Sequence, residues 1–72
     1  MAVFITGASS GIGRAFAQHY AQAGHTLGLV ARRSERLNEL CAQIPGHHHA
    51  YSLDVTDRAA LHQAAHDFQQ AV

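Results

Sequence analysis

The chain contains no lysine, a single cysteine and no long apolar run. Because a P-loop requires Gly-Lys-Ser/Thr, the absence of lysine excludes that motif from the glycine-rich N-terminal stretch. The lone Cys41 excludes an internal disulfide, is compatible with a reducing compartment and is interpreted as a small core residue. No segment has the length of a membrane span, and residues 1–5 are too short and lack the basic flank of a signal peptide. We therefore expect a soluble, cytoplasmic protein.

The charges balance, since five arginines accompany five acidic residues. Nothing in this balance favours nucleic acid or an acidic membrane as a partner. A length of 72 residues is sufficient for one small domain with a modest core.

Short apolar runs alternate with amphipathic runs along the chain. Residues 3–5, 26–31 and 50–53 are predicted strands, and each is followed by a helical pattern. The first run is apolar without alternation, which predicts a strand buried on both faces. Strands that alternate with helices indicate an α/β fold in which a parallel sheet is connected by right-handed crossovers.

The helical segments carry apolar residues at helical spacing and local signals at their ends. The apolar positions are Ile12, Ala15, Phe16, Tyr20 and Ala23 in the first helix, Leu37, Leu40, Cys41 and Ile44 in the second, and Leu61, Ala65, Phe68 and Val72 in the third. Gly24 is placed to end the first helix in the left-handed conformation. Ser34 is the predicted cap of the second helix, and Thr56 or Asp57 that of the third. Gly28 indicates a neighbouring helix at close approach.

The stretch TGASSGIG, residues 6–13, joins the first strand to the first helix. Glycines permit a sharp bend and close approach of another molecule to the backbone. A helix N-terminus offers unpaired N–H groups and partial positive charge, so a suitable ligand is an anion such as a pyrophosphate. The alternative is a glycine turn that binds no ligand.

In this setting, TGASSGIG resembles the cofactor signature of the short-chain dehydrogenase/reductase family. The resemblance covers the whole chain but only about the first third of a typical member. It implies a partial Rossmann fold of three parallel strands in the order 3-2-1 with flanking helices. We expect residues 1–72 to form the N-terminal half of a dinucleotide-binding domain. A fragment of a longer enzyme is favoured over a short product complete in itself.

The resemblance implies an NADP(H) site. The residues implied to contact the pyrophosphate are Gly7, Ser9, Ser10, Gly11, Ile12 and Gly13. After the second strand, Arg32 and then Arg33 stand where an acidic residue would select NAD, and a guanidinium suits the 2′-phosphate of NADP. The alternative for both is a solvated surface charge. Asp54 and Val55 are the implied adenine contacts, with helix capping as the alternative for Asp54.

The family's catalytic residues lie further along the chain than this sequence reaches. A Tyr-x-x-x-Lys pair cannot occur here, because there is no lysine. The implied function is the NADP(H)-binding segment of an oxidoreductase that transfers a hydride between nicotinamide and a carbonyl or alcohol substrate. The sequence does not identify the substrate, and the parent enzyme is expected to be a homo-oligomer. The alternatives are a non-catalytic nucleotide-sensing or interaction module on the same fold and a remnant without activity.

Two further expectations concern the surface. His47, His48 and His49 lie in a predicted loop, and His62 and His66 lie on one helical face. Because they lack clustered acidic or cysteine partners, we expect solvated histidines and no metal site. The first strand would form an apolar sheet edge, so the isolated chain is expected to be poorly soluble, oligomeric or molten.

Overall fold

The computed structural model describes residues 2–72 as three parallel strands and three helices. The elements are β1 (Ala2–Thr6), α1 (Gly11–Gln22), β2 (Thr26–Ala31), α2 (Ser34–Gln43), β3 (His49–Ser52) and α3 (Arg58–Ala71). β2 lies between β1 and β3 and pairs in parallel with both. The predicted α/β fold and strand order are confirmed.

The main core lies between the sheet and the helices α1 and α2. Leu27 and Leu29 of β2 are completely buried, and Leu37 and Leu40 of α2 are nearly so. Burying each of these leucines contributes about 1.5–3 kcal/mol relative to an exposed side chain. The apolar stripe predicted for α2 is therefore confirmed, with Cys41 partly buried at its margin.

The opposite face of the sheet is covered by α3. Phe68 of α3 packs against Phe4 of β1, with ring centroids 5.7 Å apart. Gly28 of β2 leaves the space for both rings, because a Cβ there would lie 2.7 Å from Phe4 and 2.9 Å from Phe68. The predicted close approach of a helix at Gly28 is confirmed.

The first strand is less buried than its apolar sequence predicts. Ile5 is buried, but Val3 and Phe4 are only half-buried. Among the strands of residues 2–72, β1 pairs with β2 alone and so forms one edge of the sheet. Both faces of β1 are nevertheless covered, since Val3 and Ile5 pack in the core with residues of α1, and Phe4 packs against Phe68 of α3. The open edge of β1 leaves Val3 and Phe4 only half-buried.

Helix α1 packs against the sheet through small residues. Gly13, Ala17 and Ala21 are its buried positions. The larger apolar side chains of Ile12 and Phe16 are 75% and 52% exposed. The predicted apolar stripe of this helix is wrong, because Ile12, Ala15, Phe16 and Ala23 are exposed and Tyr20 is only half-buried. A close helix–sheet approach requires small residues at the contact.

Helix ends and the last strand differ from prediction in small ways. Ser34 is the first residue of α2 rather than its cap, and the N-cap is Arg33, whose side chain makes no capping bond. Asp57 does cap α3, because its carboxylate accepts the N–H of Ala60 at 3.1 Å. β3 begins and ends one residue earlier than predicted, since His49 pairs with Gly28.

The apolar stripe predicted for α3 is confirmed at Phe68, but Ala64 is the other buried position in place of its neighbour Ala65. Ala64 and Phe68 are buried, Leu61 and Ala65 are half-buried, and Val72 is exposed. Val72 lies beyond the end of the helix, which explains why it does not continue the stripe.

One of the predicted solvated histidines has a structural role. His48 is half-buried, and its Nδ1 accepts the N–H of Leu27 at 3.0 Å. Because Nδ1 accepts, the ring proton lies on Nε2, which donates to the carbonyl of Pro45 at 2.6 Å. The side chain therefore continues the β2–β3 pairing where the backbone of β3 has not yet begun. His49 belongs to β3 rather than to a loop.

Candidate functional site

The glycine-rich loop between β1 and α1 is held in one conformation by its own hydrogen bonds. Gly7 adopts a left-handed conformation with φ of 65°, which other residues rarely adopt. Its carbonyl accepts both the N–H of Ser10 at 3.1 Å and the Ser10 hydroxyl at 2.7 Å. Ala8 donates its N–H to the carbonyl of Val30 at 3.0 Å, which ties the loop to the end of β2.

The N-terminus of α1 remains open as a result. Ser10 occupies the N-cap position, but its side chain makes no capping bond to the helix. The N–H groups of Gly11, Ile12 and Gly13 therefore have neither an intrahelical partner nor a serine cap. Unpaired donors at the positive end of a helix form an anion-binding position.

The three glycines of the loop have three different surroundings. Gly7 makes the sharp turn. A Cβ on Gly11 would meet no heavy atom within 4 Å, so the backbone there is open to an approaching group. A Cβ on Gly13 would overlap the carbonyl oxygen of Gly7, because the helix packs directly under the loop. These are the roles of turn, close approach and helix packing that glycines fill in a dinucleotide-binding loop.

An open cleft of about 490 Å³ connects the glycine-rich loop to the ends of β2 and β3. Its walls combine residues of the loop, three arginines and two apolar residues. The lining residues are Thr6, Gly7, Ser9, Ser10, Ala31, Arg32, Arg33, Arg36 and Val55. The cleft therefore lies at the carboxyl ends of the parallel strands, where open α/β sheets bind their ligands.

At one end of the cleft, Arg32 lies beside Asp54. Their closest charged atoms are 4.0 Å apart, and the side chains are 77% and 47% exposed. Such an exposed ion pair contributes little to stability. Oδ1 of Asp54 accepts the N–H of Thr56 at 2.9 Å and its hydroxyl at 2.8 Å.

These contacts determine the ionisation of Asp54. The backbone hydrogen bond from Thr56, followed by that from its hydroxyl, holds the pKa of the Asp54 carboxyl below its ordinary value. The Arg32 charge acts in the same direction more weakly, and partial desolvation opposes all three. At neutral pH Asp54 is therefore an acceptor-only carboxylate.

The structure brings most of the predicted residues together at the cleft. Its lining includes Gly7, Ser9, Ser10, Arg32, Arg33 and Val55, all predicted from the sequence. Asp54 adjoins the cleft through Arg32. Gly11 and Ile12 begin α1 and are exposed, whereas Gly13 is buried beneath the loop.

Arg36 lines the cleft but was not predicted. It lies three residues after Arg33, and residues at this spacing share one face of a helix. That spacing is the signal from which it was detectable.

Neither a metal-ligand cluster nor a membrane-spanning helix is found in the described residues. Within residues 2–72, no three histidine, cysteine, aspartate or glutamate side chains are grouped so that they hold a metal ion. None of the three helices in the described chain is long and apolar enough to cross a bilayer.

Known proteins resemble this chain in sequence and in fold. Sulfoacetaldehyde reductase 2 from Chromohalobacter salexigens is 42% identical over 71 residues, which are 96% of this chain and 28% of that protein. A short-chain dehydrogenase from Sphingobium yanoikuyae, solved in complex with NADPH, has a TM-score of 0.78 and 42% identity over 86% of this chain and 26% of its own. A dehydrogenase/reductase from Sinorhizobium meliloti has a TM-score of 0.90 and 31% identity over 97% of this chain and 29% of its own.

The match covers only part of each relative. The chain spans roughly a quarter of the length of the curated proteins that it matches, between 22% and 28% for three of them. The sequence profile of the short chain dehydrogenase family, however, matches residues 1–72. The glycine loop, the parallel sheet and this full-length match establish that the chain belongs to the short-chain dehydrogenase family of oxidoreductases.

Proposed function

We propose that this chain binds NADP(H) as the N-terminal half of the Rossmann domain of a short-chain oxidoreductase. The observation that carries the proposal is the cleft that joins an uncapped helix N-terminus to three guanidinium groups. A dinucleotide with a 2′-phosphate has anionic groups suited to both positions. The Sphingobium yanoikuyae relative, solved with NADPH, supports the choice of cofactor.

The pyrophosphate is assigned to the glycine-rich loop and the first turn of α1. Gly11 supports this assignment because the space above it is open. The assigned residues are Gly7, Ser9, Ser10, Gly11, Ile12 and Gly13. Backbone donors in this loop are already oriented by the Ser10–Gly7 hydrogen bonds, so binding requires little reorganisation.

The 2′-phosphate is assigned to Arg32, with Arg33 as a second contact. Both guanidiniums line the cleft directly after β2. A guanidinium pairs with a phosphate through two parallel hydrogen bonds, whereas a carboxylate at this position would repel it. The presence of arginine here therefore favours NADP over NAD.

The adenine ring is assigned to Asp54 and Val55. Oδ1 of Asp54 is engaged by Thr56. Oδ2 lies 4.0 Å from Arg32, beyond hydrogen-bond distance, and is therefore the oxygen assigned to accept from the exocyclic amine. Val55 lines the cleft and is 43% exposed, which leaves an apolar surface for the ring.

The cofactor, when bound, supplies the hydride for exchange with a carbonyl or alcohol substrate, while these residues bind and orient it. The chain has no lysine and so lacks a Tyr-x-x-x-Lys pair of its own. A second candidate function is a nucleotide-sensing or interaction module without catalysis, which would use the same cleft. A Ser and a Tyr-x-x-x-Lys in the complete reading frame would support the enzyme and exclude the module.

The test is a charge reversal at Arg32 in the protein expressed from its complete reading frame. Arg32→Asp should weaken NADPH binding about 10- to 100-fold, since it removes a charged hydrogen bond and adds repulsion. NADH binding should be unchanged or stronger. Arg58→Asp makes the same charge change at an exposed position outside the cleft and is the matched control. An unchanged ratio of NADPH to NADH affinity in Arg32→Asp would show that the assignment is wrong.

A further inference from the structure

We propose that Arg36 is a further specificity-determining residue, which binds the 2′-phosphate of NADP from the glycine-loop side of the cleft. This inference rests on the proposed NADP(H) function and deepens it. Arg36 is a third guanidinium beside those of Arg32 and Arg33. It belongs to α2, whereas Arg32 and Arg33 lie in the segment after β2.

The position of Arg36 follows from the start of α2. The helix begins at Ser34, so Arg36 lies in its first turn. Arg33 precedes it by three residues, a spacing that places two side chains on one side of a helix. Arg32, Arg33 and Arg36 all line the same cleft.

A second, smaller cleft defines the side from which Arg36 acts. It has a volume of about 110 Å³ and is lined by Ser9, Arg14, Arg36, Glu39 and Leu40. Ser9 and Arg36 line both clefts and therefore form the wall between them. Arg32, in contrast, lies beside Asp54 at the adenine end of the larger cleft. A phosphate between these two positions would be contacted by guanidiniums from two directions.

The positive charge of Arg36 is more available to a ligand than that of Arg32. Arg32 shares its charge with Asp54 at 4.0 Å. Across residues 2–72, this is the single arginine–carboxylate pair within 4.0 Å, so neither Glu39 nor any other carboxylate pairs with Arg36 at that distance. In the second cleft, the guanidinium of Arg14 donates to the side chain of Gln43.

A phosphate monoester carries more than one negative charge at neutral pH. A single arginine that is already beside a carboxylate does not neutralise that charge. Arg36 adds a further cation with planar, two-pronged geometry to those of Arg32 and Arg33, and its contribution falls on NADP alone because NAD lacks the 2′-phosphate.

The test measures dissociation constants for NADPH and NADH with the protein expressed from its complete reading frame. Arg36→Gln should reduce the preference for NADPH about tenfold, through weaker NADPH binding, while NADH binding stays within about twofold. Arg36→Lys should recover part of the preference, because it restores charge without the planar fork. Arg58→Gln, which removes a charge outside the cleft, should leave both constants unchanged.

Two results would overturn the role of Arg36 without affecting the proposed function. One is an unchanged preference for NADPH over NADH in Arg36→Gln. The other is an equal weakening of NADPH and NADH binding, which would indicate a general charge effect. Arg36 is exposed, and circular dichroism of both substituted proteins verifies that their fold is retained. A wild-type protein that binds NADPH no better than NADH would instead overturn the proposed function together with this inference. The wild-type measurement thus separates the two failures.

Discussion

Replacement of Gly13 by alanine tests the packing of the glycine-rich loop most severely. A Cβ at Gly13 would overlap the carbonyl oxygen of Gly7 and lie 2.8 Å from its carbonyl carbon and 3.1 Å from the Cα of Ala8. Ordinary van der Waals contact begins at 3.4 Å, so the loop or the helix must move by more than half an ångström.

The loop has little freedom to make that movement. The carbonyl of Gly7 accepts two hydrogen bonds from Ser10, and the N–H of Ala8 donates to Val30. Forcing an added methyl group into packed backbone costs about 1–3 kcal/mol or more. The gain from replacing glycine by alanine in a helix is at most about 1 kcal/mol. Because the clash is with backbone on both sides, we expect a net loss of about 2 kcal/mol.

The matched control is Gly11→Ala in the first turn of the same helix. A Cβ at Gly11 meets nothing within 4 Å, so the free energy of unfolding should be unchanged or slightly higher. Denaturant unfolding of the protein from its complete reading frame, followed by circular dichroism, measures both effects. Equal stability of Gly13→Ala and wild type would refute the packing described for the loop. Gly11→Ala should weaken NADPH binding without loss of stability, since its methyl group enters the space assigned to the pyrophosphate.

Three further outcomes are expected. His48→Phe removes the acceptor of the buried Leu27 N–H and should lower the free energy of unfolding by about 1–3 kcal/mol, whereas His47→Phe at the exposed neighbour should have little effect. Burial, then the hydrogen bond to Asp67 and its charge, raise the pKa of Tyr51 from 10 to about 12. The folded state therefore holds this proton more tightly than the unfolded state, so its stability should fall between pH 10 and about 12, and this fall should be smaller in Tyr51→Phe. The 72-residue chain alone should be oligomeric or molten by sedimentation and near-UV circular dichroism, because the β1 edge and apolar residues of α1 are exposed; a sharp, cooperative melt of a monomer would contradict this.

The sequence predicts the sheet well where apolar runs have clear ends. Residues 26–31 were predicted as a strand, and β2 has these bounds. β3 is displaced by one residue because His49 joins the pairing through its backbone, which its polar side chain does not reveal. The failed cap at Ser34 has a similar cause, since α2 takes this residue into its first turn.

Burial was harder to predict than secondary structure. Ile12 and Phe16 follow helical spacing, but the contact of α1 with the sheet is made by Gly13 and Ala17. Side-chain size decides how closely a helix approaches a sheet, and hydrophobicity alone does not contain that information.

The candidate site was predictable in its local parts. Gly7, Arg32 and Asp54 were detectable because each has a defined distance from a strand end, and the family resemblance supplied their roles. The contribution of Arg36 to the cleft depends on the orientation of α2. The engagement of one Asp54 oxygen by Thr56 depends on the turn geometry.

The central claim is that this chain binds the adenosine and 2′-phosphate part of NADP. Calorimetric titration of the protein from its complete reading frame with 2′,5′-ADP and with 5′-AMP tests it directly, because the two ligands differ only in the 2′-phosphate that is assigned to the arginines of the cleft. Saturable binding of one 2′,5′-ADP per chain, at least about tenfold tighter than 5′-AMP, is the predicted result. Equal affinity for both ligands, or no saturable binding of 2′,5′-ADP, would contradict it.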